Sequence, residues 1–191
     1  MTPLTKFTKA EPKWVPRVTP VKLDEATEAQ RDALSVTPSG RKISDYVLVL
    51  AHDVETLKIR SPLFNEIMYH EGGLGRADRE LGATAASVVN RCIYCAAVHA
   101  HRQIQNSGDA SVIDAIFKDG PNAELPPREA AVFSAATTLS EAPSEFGAAE
   151  VASLAEAGLD AGEQFDLVLS TALFGWANRL MHVLGDPVKK E

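Results

Sequence analysis

Three stretches dense in alanine, glycine and serine, "GATAAS" at 82–87, "AAVFSAA" at 130–136 and "LSTAL" at 169–173, lie inside long segments of helical periodicity. Side chains this small let helix axes approach closely, so the chain is expected to bury its apolar faces by packing helix on helix. No sustained alternation of apolar and polar residues argues for a strand, and an all-α compact bundle follows. The run "VLVL" at 47–50 would by itself fit a strand. The i, i+3, i+4 pattern around it and the helix formers beside it favour a helix.

The boundaries can be read from the punctuation. Pro3, Pro12, Pro16 and Pro20 each fix φ and remove a backbone donor, so residues 1–24 are expected to form an extended, proline-rich arm ahead of a helical domain over 25–191. "DEATEAQRDALSV" predicts a short helix stopped by "TPSG" at Thr37 to Gly40. Ser44 is placed to cap a helix through "DYVLVLAHDVETLK", and Ser61 with Pro62 to start another that ends at "EGGLG". A small-residue helix begins near Ala77. After Asn90 another runs through "CIYCAAVHAHRQIQ", and "ASVIDAIFK", "PPREAAVFSAATTLS" and "AAEVASLAEAG" supply three more. The last helix opens with a capping box of Asp160 and Glu163 and stops at Gly185 before Pro187. "GATAASVVNR" and "STALFGWANR" share a small-residue helix followed by Asn-Arg, a faint trace of a repeated helical unit.

With 191 residues the chain suits one domain plus an arm, large enough to fold without disulfides or metal. A formal charge of −7 without long acidic runs works against nucleic acid or an anionic membrane as partner. No signal-like or bilayer-length apolar run stands out, so the cytoplasm is the expected location. There a close cysteine pair stays reduced, and points to catalysis or metal binding before a structural disulfide.

The two cysteines stand in "NRCIYCAAVH" as Cys92 and Cys95, with His99 four residues on. At about 100° per residue, Cys92, Cys95 and His99 fall on one helix face and can meet one small cavity. If Asn90 interrupts the helix, both sulfurs lie in the first turn of the next one, where unpaired N–H groups favour thiolate. His99 is then placed to take a proton. Glu80, Thr84 and Ser87 share a face of the preceding helix. A carboxylate beside an imidazole fixes its tautomer and raises its basicity, so Glu80 could complete a Cys–His–Glu relay.

This arrangement, Glu80, a small-residue helix, Ser87, Asn90, then Cys92-Ile93-Tyr94-Cys95 and His99, resembles the alkylhydroperoxidase D (AhpD)-like branch of the carboxymuconolactone decarboxylase superfamily. The resemblance covers about Glu80 to His101 and, more loosely, the helices from Ser44 to Gly185. It implies an AhpD-like helical fold, an oligomer (dimer, trimer or hexamer), and reduction of hydroperoxides through a dithiol–disulfide cycle. By motif position, Cys95 is the cysteine oxidised by peroxide, Cys92 the proton donor and resolving thiol, and Glu80 with His99 the proton relay. An outside dithiol, protein or lipoyl-type, restores the pair. No bound cofactor and no metal are called for. Where the best-known members have a second histidine between the cysteines, this sequence has Tyr94, a poor base near neutrality, which implies either a shorter relay or a weak peroxidase activity. The long arm and extra C-terminal helices look most like the family's uncharacterised peroxidase-related members.

Other readings stay open on the residues alone. Two buried cysteines can be plain core residues. A zinc site needs a fourth ligand beside Cys92, Cys95 and His99, for which His52, His70 or Glu80 are candidates, while His101 points about 200° away from His99. Glu80 could simply pair with Arg76 or Arg79 near a helix start. His52 is read as packing or capping, His70 as solvent-facing at a helix end, Asn90 as a backbone cap, and Tyr46 and Tyr69 as fillers. Trp176 and His182 suit core or oligomer contact. Two further functions would leave the same sequence: a non-redox lactone decarboxylase-like enzyme using His99 and Glu80, or a thiol–disulfide sensor.

Overall fold

The computed structural model describes residues 2–36 and 42–190. Among these are nine α-helices: α1 (Glu28–Ser35), α2 (Asp45–Leu50), α3 (Val54–Tyr69), α4 (Arg76–Val89), α5 (Ile93–Ser107), α6 (Ser111–Asp119), α7 (Pro127–Glu141), α8 (Ala148–Glu156) and α9 (Ala161–Leu184). The "TPSG" stop expected after α1 lies outside the described residues.

Helix α4 is the centre of the bundle and packs on α5, α7 and α9. Its composition explains the position. Gly82, Ala83, Ala85 and Ala86 are buried, and a Cβ on Gly82 would stand 2.7 Å from Leu167 Cδ1 and 2.9 Å from Thr171 Oγ1. The small-residue stretches of α4 and α9 therefore face each other, as expected from close helix approach. The faint repeat is also spatial, because Asn90 Nδ2 at the end of α4 lies 3.3 Å from Asn178 Oδ1 on α9. The predicted Asp160–Glu163 box is present at the start of α9. This helix is long and apolar enough to cross a bilayer, but Leu167, Phe174, Ala177 and Met181 turn its apolar face into the core.

Two expectations need correction. The segment read as a helix over 45–58 and a second one starting at Ser61 is divided elsewhere: α2 ends at Leu50, and α3 begins after Asp53, whose carboxylate accepts from Thr56 N–H at 3.1 Å. An ionised cap at Asp53 outcompetes Ser61, which is fully buried inside α3, and Pro62 sits mid-helix, forgoing one backbone bond.

The fold is also not purely helical. β1 (Lys13–Pro16) and β2 (Gly185–Val188) form an antiparallel pair, with Trp14 opposite Pro187. Neither segment shows a strand pattern, since each has four residues and a proline, and the pairing exists only because the arm returns to the C-terminal tail. Gly185 is required there by close approach, for a Cβ would lie 2.4 Å from the Trp14 ring. The N-terminal arm thus lies on its own fold. Phe7 stacks on Phe117, Lys9 pairs with Asp114, and His52 Nε2 holds the Thr19 carbonyl at 2.9 Å.

Candidate functional site

The joint between α4 and α5 builds the site. Asn90 ends α4 with its side-chain amide donating to the Ala86 carbonyl at 2.8 Å, the capping role expected of it. Arg91 then takes a left-handed φ of 55°, unusual for a residue with a side chain, and turns the chain so that Cys92 becomes the N-cap of α5. His182 Nε2 braces this turn at the Asn90 carbonyl, 2.8 Å away. Cys95 falls in the first turn. Both cysteines are buried and unbridged.

The two sulfurs do not share one environment. The Cys95 thiol bears on the Cys92 sulfur and holds it below an ordinary thiol value; burial opposes this, and the Cys95 and Tyr94 backbone amides and the Asn178 side chain add to it. For Cys95 the same contact works in reverse, and with burial it pushes the thiol up. Of the two, Cys95 is therefore the weaker acid and Cys92 the stronger, so the thiolate expected at both sulfurs of the helix start is not favoured at Cys95. The Asn178 amide reaches Ser87 Oγ at 3.2 Å, and Ser87 donates to the Ala83 carbonyl at 2.7 Å. Ser87 thus positions the amide that bears on both cysteines.

Glu80 meets His99. Its Oε2 accepts the His99 Nδ1–H at 2.5 Å, and both groups are buried. The other oxygen takes Arg76, whose Nε lies at 2.9 Å. Burial alone would raise the Glu80 carboxyl, but His99, Arg76 and Arg102 outweigh it and keep the carboxylate ionised. Burial holds His99 below its ordinary value against the pull of Glu80, so the ring is neutral near pH 7. With Nδ1 donating to Glu80, Nε2 carries the lone pair. The His99 ring lies edge-on to Phe174, 3.9 Å between centroids, which fixes its plane. Glu80 thus pairs with Arg76 and also holds the His99 ring.

A cavity of about 350 Å³ opens onto Cys95, His99 and Tyr94, and is walled by Tyr46, Arg60, Phe64, Arg102 and Phe174. Its size suits a small molecule. Cys92 does not line it and faces instead a smaller space beside Trp14, Met181 and His182. No hydrogen bond joins Cys95 to His99 among the described residues; the two meet only across the cavity. Tyr94 is pushed up to about 12, first by burial and then by Cys95 and Glu11, so it is no base near neutrality.

Among the described residues no three His, Cys, Asp or Glu side chains cluster as metal ligands. His52 is engaged by Thr19, and His70 pairs with Glu66 at 3.3 Å on the surface. Sequence reasoning missed Arg60, Arg76, Arg102 and Asn178 as parts of the site and passed over Tyr46 as a filler. Arg76 enters the sequence reading only as a plain ion-pair partner of Glu80, and Asn178 leaves a trace through the shared Asn-Arg of the two small-residue helices.

Residues 55–138 match the Carboxymuconolactone decarboxylase (CMD) family. None of the curated proteins matches the chain significantly. Among solved structures, an uncharacterised peroxidase-related protein from Ralstonia eutropha JMP134, described as an alkylhydroperoxidase AhpD core, is 25% identical with a TM-score of 0.76, over 89% of this chain and 90% of that one. A second uncharacterised peroxidase-related protein, from Silicibacter sp. TM1040, is 23% identical with a TM-score of 0.71, over 91% and 92%. The debrominase Bmp8 shares the fold at 16% identity and a TM-score of 0.69, over 91% of this chain and 92% of that one.

Proposed function

Starting from a chain that carries a carboxymuconolactone decarboxylase family domain on an AhpD-like fold, we propose a dithiol-dependent peroxidase that reduces a hydroperoxide in the cavity at Cys95. One observation carries this reading: the cavity-facing sulfur of Cys95 and the ring of His99 share a single pocket, with the buried Glu80 carboxylate 2.5 Å behind the ring.

Cys92 first accepts the Cys95 proton across their contact, which leaves a thiolate facing the cavity. That sulfur attacks the terminal oxygen of the hydroperoxide; the S–O bond forms as the O–O bond breaks. His99 Nε2 takes the proton of the reacting hydroxyl and delivers it to the departing alkoxide, and Glu80 stabilises the ring while it is doubly protonated. The Cys92 sulfur then attacks the Cys95 sulfenic sulfur. Its thiol proton and one from solvent leave with the oxygen as water, and a disulfide remains. An external dithiol returns two electrons and two protons. Closing a ring between an N-cap and the third helical position cross-links a very short loop, so the disulfide adds little stability and the pair can cycle.

The test is hydroperoxide consumption coupled to a small dithiol, run on the parent, Cys95→Ser and Cys92→Ser. Turnover is expected in the parent only, with a sulfenic acid trapped by dimedone at Cys95 in Cys92→Ser. Equal turnover in all three would reject the reading. The Glu80–His99 pair is complete without either sulfur, which favours acid–base chemistry on a small ring substrate as the second reading. It predicts that a lactone decarboxylase-type activity survives replacement of both cysteines by serine.

A further inference from the structure

The mechanism above leaves one buried cation of the cavity unused. Arg60 is only 6% exposed, yet its Nε and Nη1 have no hydrogen-bond partner, and among the described residues no carboxylate pairs with it. Its guanidinium lies over the Phe64 ring, 4.4 Å from the centroid, with Tyr46 at 5.7 Å. The Tyr46 hydroxyl is also buried, with the Arg60 guanidinium bearing on it and no acceptor for its own proton. Aromatic faces supply some stabilisation to a guanidinium but do not replace its lost water. A buried charge left unpaired costs several kcal/mol, so the fold retains Arg60 at a stability cost that packing alone does not recover. Arg102, on the same cavity wall, uses Nη1 on the Tyr69 hydroxyl at 3.0 Å and leaves Nε without a partner. The nearby Glu80 carboxylate is already held by His99 and Arg76.

From this geometry we infer that the cavity binds an organic substrate bearing a carboxylate, which Arg60 anchors while the reactive end of the molecule is presented to Cys95. The inference rests on the dithiol reading for the fate of the substrate, but the anchor itself does not. A guanidinium fork meets a planar carboxylate through two parallel bonds, and the Tyr46 hydroxyl supplies a third donor. A single arginine and one hydroxyl suit a monoanion. Arg60 is here a specificity-determining residue, and Arg102 on the same cavity wall adds to the positive field.

Two measurements separate the anchor from the chemistry. In the first, kcat/KM is compared for a tertiary alkyl hydroperoxide bearing a terminal carboxylate and for the methyl ester of the same compound. The parent is expected to favour the acid by about 10- to 100-fold, the range of a desolvated charge-assisted pair. The preference should fall close to one in Arg60→Met and be partly restored in Arg60→Lys. Taking the ratio of acid to ester cancels any effect of Arg60 on sulfur reactivity. In the second, benzoate binding is measured by calorimetry in the absence of peroxide and should be lost in Arg60→Met. Circular dichroism melting shows whether each variant is folded, and the parent comparison of acid with ester needs no variant at all. Equal rates for acid and ester in the parent would overturn the anchor while leaving the peroxidase standing. Arg60-dependent benzoate binding with neither hydroperoxide reduced would support the anchor and reject the dithiol chemistry.

Discussion

Replacing Glu80 with glutamine keeps the shape of a residue with no solvent exposure and removes its charge. In the resting site that charge orients the Nδ1–H of His99 across 2.5 Å. During the reaction it does more, because His99 is briefly doubly protonated while it carries the hydroperoxide's proton. At 2.5 Å and an effective dielectric of about 20, a full charge pair attracts by about 7 kcal/mol. A neutral hydrogen bond is roughly half as strong as a charge-assisted one, so glutamine is expected to lose about 3 kcal/mol of the stabilisation that develops in the transition state. At about 1.4 kcal/mol per tenfold change, that is about a 100-fold fall in kcat/KM. The ground state weakens too, since Arg76 loses its carboxylate, and about 3 kcal/mol of stability goes with it. The assay is the initial rate of hydroperoxide loss with saturating dithiol, measured well below the melting temperature of the variant. A folded Glu80→Gln protein within threefold of the parent would refute the relay.

Other outcomes follow from the same contacts. Glu80 and His99 are both held below their ordinary values of 4.5 and 6.5, so the unfolded chain binds protons that the folded one refuses, and stability should rise with pH through that window. The melting temperature is therefore expected to drop as pH falls from about 7 towards 4, with His99→Gln flattening the upper part of the slope; an equal slope in both proteins would contradict this. Gly82→Ala places a methyl 2.7 Å from Leu167 and 2.9 Å from Thr171. With two contacts under 3 Å, overpacking of about 3 kcal/mol, less about 1 kcal/mol of helix propensity gained, leaves about 2 kcal/mol and should lower the melting temperature by about 4–8 °C. An unchanged or raised value would mean that α4 and α9 separate more easily than their packing shows.

Much of this site could be read from the sequence because its signals are local. Cys92, Cys95 and His99 sit at helical spacing in one element, and Asn90 marks the break that puts Cys92 at the helix mouth. Glu80 was within reach because only one joint separates its helix from theirs. Arg60 and Tyr46 had no such signal, because they come from separate helices and a buried arginine without a partner has the same letter as one in solvent; Arg102 stands three residues after His99 on the same helix and was passed over. The allocation of the proton between Cys92 and Cys95 was also out of reach, since it depends on which amides and which side chain face each sulfur. The missed helix boundary at Ser61 is a contest between two plausible caps, decided by the carboxylate of Asp53. The β1–β2 pair has no local pattern and forms by closure of the two ends of the chain.

The central claim is that the cavity-facing sulfur of Cys95 takes oxygen from a peroxide and passes the oxidation to Cys92. Titrating free thiols before and after one equivalent of an alkyl hydroperoxide, on the reduced parent and on Cys95→Ser, tests it most directly. The account predicts that both thiols of the parent disappear and that the single remaining thiol of Cys95→Ser survives. Thiols that persist in the parent, or an equally fast loss of Cys92 in the variant, would contradict it.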